Sequence, residues 1–394
     1  MANTILTPTA VTREALRVLH QKCNFIGSIN RQYDDSFAKS GAKIGDSLKI
    51  RLPNEYTVRS GAVLDVQDTT ETSTTLQIAT QKGVDLNFTS VDLTLSLDDF
   101  SKRILEPAMS VLAAAIESDV MNVYKSVPYQ VDNIDAAATF AKLLAGRKIL
   151  NDNLAPYNAR TANLTTQATV DMIDILKGLF HDSKAVTKQY SEGTMGRTAG
   201  FDFMENTILP VHVSGTAGTV SGYQANGTQV AGSTLTVDTG TATFLAGDII
   251  TIAGTNSVHP ETKVDTGNLK TFVVTANSGA SATSLSISPA MVLVGPRQNI
   301  SAFAVDNALI VKHGGASASY GVSMLYQEDF ATVAFADLVM PKGVDFSARE
   351  VFDGISMRIV RQYDINNDKF PARLDVLYGY TATRPQLAVR FANN

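Results

Sequence analysis

The 394-residue sequence predicts an α+β protein interrupted by an inserted β-module, and three observations lead there. Leu105, Met109, Leu112, Ile116, Val120, Val123 and Val127 recur at steps of three and four, an apolar stripe of about six helical turns. Residues 213–258 carry only two charged side chains, Asp238 and Asp248, among short β-branched runs broken by glycine, as in TLTVDTGTATFLAGDIITIAGT. Strand-like alternation punctuated by turns then fills the last third, from GVSMLYQEDFATVAFADLVMPKG to GYTATRPQLAVRF.

The elements follow in order. An amphipathic helix near 11–26 carries Leu16, Leu19, Cys23 and Ile26 on one stripe, which places the chain's single cysteine in a buried position. One cysteine excludes an intrachain disulfide and a thiolate metal cluster. Residues 43–97 read as extended: SLKIRL opens the segment, and Val84, Leu86, Phe88, Val91, Leu93 and Leu95 alternate at its close. Between these arms, residues 65–75 contain no large apolar side chain beyond Val66, which describes a projecting hairpin with a polar tip. Residues 57–75 are expected to order only under a partner, because the tip has little to bury.

Pro107 suits the first turn of the long helix, with a short turn at 97–105 before it. Further helices are expected near 135–151 and 167–180, the second capped by Thr165 or Thr166. The β-module continues through KTFVVTANSGASATSLSISPAMVLV, with Ile249 and Ile252 expected in its core. Mixed or helical patterning flanks it on both sides, as for a domain inserted into another. Near the end, Leu374, Val376 and Tyr378 share one face of a strand that follows a polar turn at 364–371.

The net charge of −5 argues against a dedicated nucleic-acid binder, although the first sixty residues are mildly basic. No stretch approaches the roughly 20 apolar residues of a membrane span, and MANTILTPTAVTREALRV lacks the pattern of a secretory signal. Folding in a reducing cytoplasm is expected. GTAGTVSG at 215–222 lacks the Lys-Ser/Thr and helix of a phosphate cradle. His20, His181, His212, His259 and His313 are scattered singly, so no zinc site is expected. No GxSxG elbow occurs, and Asp98-Asp99 reads as a charge pair favouring a helix N-terminus. Asp364, Asn366 and Asp368 match the first positions of a calcium loop. Lys369 and Asp375 then stand where glycine and glutamate are required, so the stretch reads as a hairpin turn. Neither a catalytic set nor a cofactor site can be named.

The closing GYTATRPQLAVRF, the MLYQEDFATVAF run, GFDFMENTILPV at 200–211 and the order of elements resemble the major capsid proteins of tailed phages. The group they most resemble is the coat protein of the short-tailed Salmonella phage and its relatives. The resemblance implies the Hong Kong phage type of capsid fold, with an inserted small β-barrel-like domain. It divides the chain into an N-terminal arm and helix (1–42), an extended loop (43–97) and a peripheral domain with its spine helix (98–150). An axial domain (151–212) follows, then the inserted β-domain (213–299) and the axial return with the C-terminal strands (300–394).

It also implies an icosahedral shell of pentamers and hexamers around packaged double-stranded DNA. Scaffolding and portal proteins are the implied partners, assembly occurs in the host cytoplasm, and no membrane is involved. On this reading Asp65, Asp68 and Glu71 at the loop tip are expected assembly contacts, and Arg13, Arg17 and Lys22 face the DNA without sequence specificity. One departure stands out: SGYQANGTQVAGS at 221–233 is uncharged where the Salmonella phage protein has a charged inter-capsomer loop, so no salt bridges carry over. Another β-rich phage structural or adhesion protein is the second reading, and an enzyme the third.

Overall fold

The computed structural model describes residues 8–34, 47–59, 61–64, 66, 71–88, 104–176, 196–344, 346–352, 354–365 and 370–393. The chain divides into two compact units, one of residues 1–51, 73–121 and 331–383, the other of residues 52–72, 122–330 and 384–394.

In the first unit the helix Pro8–Lys22 buries Val11, Ala15, Leu16, Val18 and Leu19. The chain breaks at Cys23 and resumes as the short helix Asn24–Gly27. Cys23 is buried as expected, but at this break rather than inside a helix. Burial, then the charge of Glu117, pushes its thiol up to about 12, which makes it unreactive. Glu117 lies on the helix Glu106–Val120 and accepts from the Phe25 N–H, so a buried carboxylate covers a free donor of the short helix. Pro107 occupies the first turn of the longer helix, and a 3₁₀ segment, Met121–Ser126, continues it in sequence. All seven residues of the expected stripe are buried.

A six-stranded sheet runs Asn30–Asp34, Thr332–Ala336, Phe370–Thr381, Ile355–Arg361, Phe346–Phe352, with Thr80–Phe88 also paired to Phe370–Thr381. Phe370–Thr381 is the shared strand. From Leu374 to Gly379 it is buried on both faces, so Asp375 and Leu377 are covered as well as Leu374, Val376 and Tyr378. Asp375 is tolerated because the Arg358 guanidinium donates to it at 2.6 Å. Gly379 must be glycine: a Cβ there would come 2.1 Å from the Gln77 carbonyl oxygen. Ile355–Arg361 and Phe370–Thr381 are antiparallel, with Arg361 opposite Ala372; Asn366 to Lys369 of the expected turn lie outside the described residues, and Phe370 and Pro371 belong to the strand.

The arm departs from expectation. Ser47–Arg51 pairs with Ser73–Gln77, Arg51 opposite Ser73 and Ser47 opposite Gln77, and, among the described residues, not with the start of the expected run at 84–88. Thr80–Phe88 pairs instead with Phe370–Thr381. Threonine explains the error: in STTLQ it reads as polar, yet its branched Cβ suits a strand. Leu48, Ile50, Leu76 and Ile78 then pack on Ala334, Leu338 and Leu377. The expected Val91, Leu93, Leu95 and Asp98-Asp99 lie outside the described residues.

The second unit holds a seven-stranded sheet ordered Gln130–Asp132, Ala388–Asn393, Ser319–Gln327, Arg160–Leu164, Phe201–Glu205, Arg197–Thr198, with Val211–Val213 also on Ser319–Gln327. Its helices are Phe140–Asp152, capped by Thr139, and Thr166–Leu176, where the Thr165 hydroxyl accepts from the Ala168 N–H at 3.3 Å. A closed barrel is inserted in this unit, in the order Val220–Ala225, Gly232–Asp238, Ser284–Met291, Asp265–Val274, Ile249–Val258, Leu309–Lys312. Leu309–Lys312 completes it, so the barrel runs past the composition-based end at 299. Tyr223, Leu235, Phe244, Ile252, Phe272 and Ile310 fill its interior. Ile249 is buried too, but it alternates with Ile250 and lies off the interior cluster, on the barrel's outer face. Entry and exit are neighbours: Val213 pairs with Ser319, and the Ser214 N–H donates to the Ala318 carbonyl at 2.9 Å.

Three outcomes follow from this geometry. A fragment spanning 214–318 should fold as a cooperative β protein, whereas one ending at 295 should not, because it lacks the closing strand; circular dichroism and thermal melts read the difference. Ile252→Ala should cost about 2–5 kcal/mol in both fragment and full chain. Ile249→Ala should destabilise the full chain but leave the fragment's melting temperature nearly unchanged.

Candidate functional site: the seat of the inserted barrel

The polar chemistry of the second unit concentrates where the barrel meets its host sheet. His212 lies between exposed Val211 and Val213, so strand alternation turns its ring inward. Its Nε2 donates to one oxygen of Asp248 at 3.0 Å, because an ionised carboxylate can only accept. The other oxygen accepts from the Leu245 N–H at 2.8 Å and the Gly215 N–H at 3.0 Å. Asp248 has 0 % exposure. Burial alone would raise its pKa; the hydrogen bonds from His212, Leu245 and Gly215 and the charge of Lys312 outweigh this and hold it below the ordinary carboxylate value.

Two cations complete the seat. Lys312, fully buried, donates to the carbonyls of Gly315 at 2.8 Å and Gly215 at 3.4 Å. Burial lowers its pKa, opposed by Asp248. Arg390 comes from the host strand Ala388–Asn393 and donates through Nη1 to the Gly247 carbonyl at 2.6 Å. Its guanidinium lies 5.4 Å from the centre of the Tyr124 ring. Burial brings the Arg390 pKa down to about 10 and pushes Tyr124 up to about 12, so both keep their protons at neutral pH. Tyr124 reaches His212 Nδ1 at 3.1 Å. Gly247 has φ +104°, and a Cβ would stand 2.9 Å from His212 Cε1, so the turn demands glycine. Lys270 adds a second tether by donating to the Tyr129 hydroxyl at 3.0 Å.

Tyr124, His212 and Asp248 form a hydrogen-bonded series that resembles a catalytic relay in outline. Their exposures of 2 %, 2 % and 0 % leave no path for a substrate, so the series is a clamp between elements. Among the described residues no group of three or more His, Cys, Asp or Glu side chains is placed to hold a metal ion, and no helix is long and apolar enough to cross a membrane.

The residues singled out from the sequence do not gather here. Asp65 and Asp68 lie outside the described residues, and Glu71 is exposed. Arg13 and Arg17 are exposed on the first helix, Arg13 lying 3.8 Å from Glu350 and Arg17 2.6 Å from Glu14, so each charge has a nearby carboxylate. Lys22 ends that helix. The clamp itself was missed. Its one sequence signal was Asp248, a lone acid in the apolar, glycine-flanked AGDIITIAG, where burial with a dedicated partner is the physical expectation.

The fold is α+β with a closed barrel clamped into its host sheet through buried side chains. A comparison with family models matches residues 10–392 to the P22 coat protein, gene protein 5. The chain belongs to the P22 coat protein family: it is a major capsid protein, a virion component whose copies associate into a shell. No curated protein matches the sequence. Among solved structures, a chain of Mycobacterium phage Che8 is 10 % identical, with coverage of 91 % of this chain and 88 % of that one and a TM-score of 0.44. The capsid structure of Cyanophage P-SCSP1u is 9 % identical over 93 % and 86 %, also at 0.44. The CUS-3 coat protein I-domain is 28 % identical over 23 % of this chain and 94 % of its own, at 0.20. The assignment rests on the family match.

Asp248→Asn should destabilise the full chain by about 3–5 kcal/mol at neutral pH, because it leaves buried Lys312 and Arg390 without an ionised partner. The sign with pH is fixed by the depressed pKa. The carboxylate's contribution is complete above the unfolded value of about 3.9 and is lost as pH falls through the folded one. Denaturant melts should therefore show the gap between wild type and variant narrowing below pH about 4.

Proposed function

We propose that the chain assembles as pentamers and hexamers into an icosahedral shell enclosing double-stranded DNA, with scaffolding and portal proteins as partners, in the host cytoplasm. The coat-protein match over residues 10–392 carries this reading. The arm supports it: Tyr56, Val58, Val63, Leu64 and Val66 are 58 %, 97 %, 83 %, 78 % and 75 % exposed, apolar surface that neighbouring subunits would cover. Asp65, Asp68 and Glu71 lie on the same stretch of sequence and would add charged contacts with a neighbour to that apolar surface.

Arg13, Arg17 and Lys22 would face the packaged DNA. Because Arg13 and Arg17 each have a carboxylate nearby, the contact would be weak, non-specific and readily displaced by salt.

Light scattering and negative-stain microscopy of the purified chain, with and without a scaffolding partner, should show closed shells. A chain that stays monomeric under all conditions, or that forms only open fibres, overturns the proposal. Proteases should cut at exposed Arg59 in the monomer and spare it in particles; equal cutting in both would remove the arm from the contact.

A further inference from the structure

The clamp has more donors than acceptors. Arg390 has 0 % exposure and spends Nη1 on the Gly247 carbonyl, but its Nε and Nη2 meet no acceptor among the described residues. Beside it in the sheet, Gln130 is the register partner of Arg390 in a parallel pair, so both side chains leave the same face. Gln130 is 9 % exposed; its Oε1 accepts from the Tyr320 hydroxyl at 3.5 Å, while its Nε2 is likewise unmatched. Three buried donors on two residues adjacent in the sheet thus lack an acceptor among the described residues.

Charge points the same way. Arg390, Lys312 and Lys270 are all buried, and the one buried carboxylate in the clamp, Asp248, already accepts from His212, Leu245 and Gly215. Unmatched buried donors are costly, and costlier on a charged group. A water molecule would supply lone pairs but bring two hydrogens needing acceptors of their own. A monatomic anion takes several donors, brings no hydrogens and offsets the excess positive charge. A tetrahedral oxyanion has more oxygens than these donors can satisfy.

The geometry points to a binding site for a small monovalent anion, chloride or a similar halide, held by Nε and Nη2 of Arg390 and Nε2 of Gln130 at the seat of the barrel. The ion would neutralise the guanidinium and fix the side chain that grips the Gly247 turn. The site lies within one subunit and does not depend on shell geometry, so its failure would leave the assembly proposal standing.

The test uses the full-length chain with bromide as the probe. Thermal melts in sodium bromide and sodium gluconate at matched ionic strength should show a bromide-specific, saturable rise in melting temperature. Gln130→Leu removes one donor and should weaken the apparent bromide affinity about tenfold, as loss of one charge-assisted hydrogen bond implies. Arg390→Met should abolish it if that variant folds, and Gln130→Leu decides the matter if it does not. A bromide crystal should give an anomalous peak within hydrogen-bond reach of Arg390 Nε. Equal melting temperatures in both salts, a rise unaltered by Gln130→Leu, or a non-anomalous water at that position would each overturn the assignment.

Discussion

A carboxylate with no access to water organises the second unit. Asp248 is stable as an anion because three donors and a lysine converge on it. Those groups come from the host strand, the entry segment, the barrel's own turn and the barrel's closing strand. One side chain therefore registers the barrel's turn, its entry segment and its closing strand against the sheet. The constraint is directional: apolar packing alone would permit the barrel to slide, whereas hydrogen bonds with lengths near 3 Å do not.

The first unit solves a different problem, an internal strand with both faces covered. Phe370–Thr381 pairs with strands on both sides and carries Asp375 and Tyr378 into the interior. Each polar group there has a partner: Asp375 takes Arg358, and the Tyr378 hydroxyl donates to Asp119 at 2.7 Å. Asp119 belongs to the helix Glu106–Val120, so the same bond anchors that helix to the sheet. Burial, then Asp119, raises the Tyr378 pKa, which keeps the phenol a donor.

Local signals were legible where a single element generates them. The stripe is buried from Leu105 to Val127, and helical periodicity accounts for Met109, Leu112, Ile116 and Val120; the α-helix ends there, so Val123 on the 3₁₀ segment and Val127 beyond it are buried without continuing it. Thr165 caps its helix because a hydroxyl one step before a helix has a free N–H within reach. The glycine- and threonine-rich segment is a barrel because short β-branched runs with turn residues close readily on themselves. The pairing of the arm was not legible because SLKIRL had two eligible mates, and Thr80–Phe88, where the more hydrophobic one begins, pairs with Phe370–Thr381. Pairing choice is a competition among all strands, and no window of sequence contains it.

By itself the sequence determined the α+β class, the spine helix, the presence of an inserted β-module and the family, since periodicity, composition and motif order are properties of the chain. Only the tertiary structure decided that the barrel closes with Leu309–Lys312 and that Ser73–Gln77 is the mate of Ser47–Arg51. It alone brought His212, Asp248, Lys312 and Arg390 together from positions far apart in the chain. Apart from Asp248, a lone acid in an apolar run, none of them stands out among its sequence neighbours. A buried charge is tolerated only where its partners arrive, and their arrival depends on how distant strands are placed.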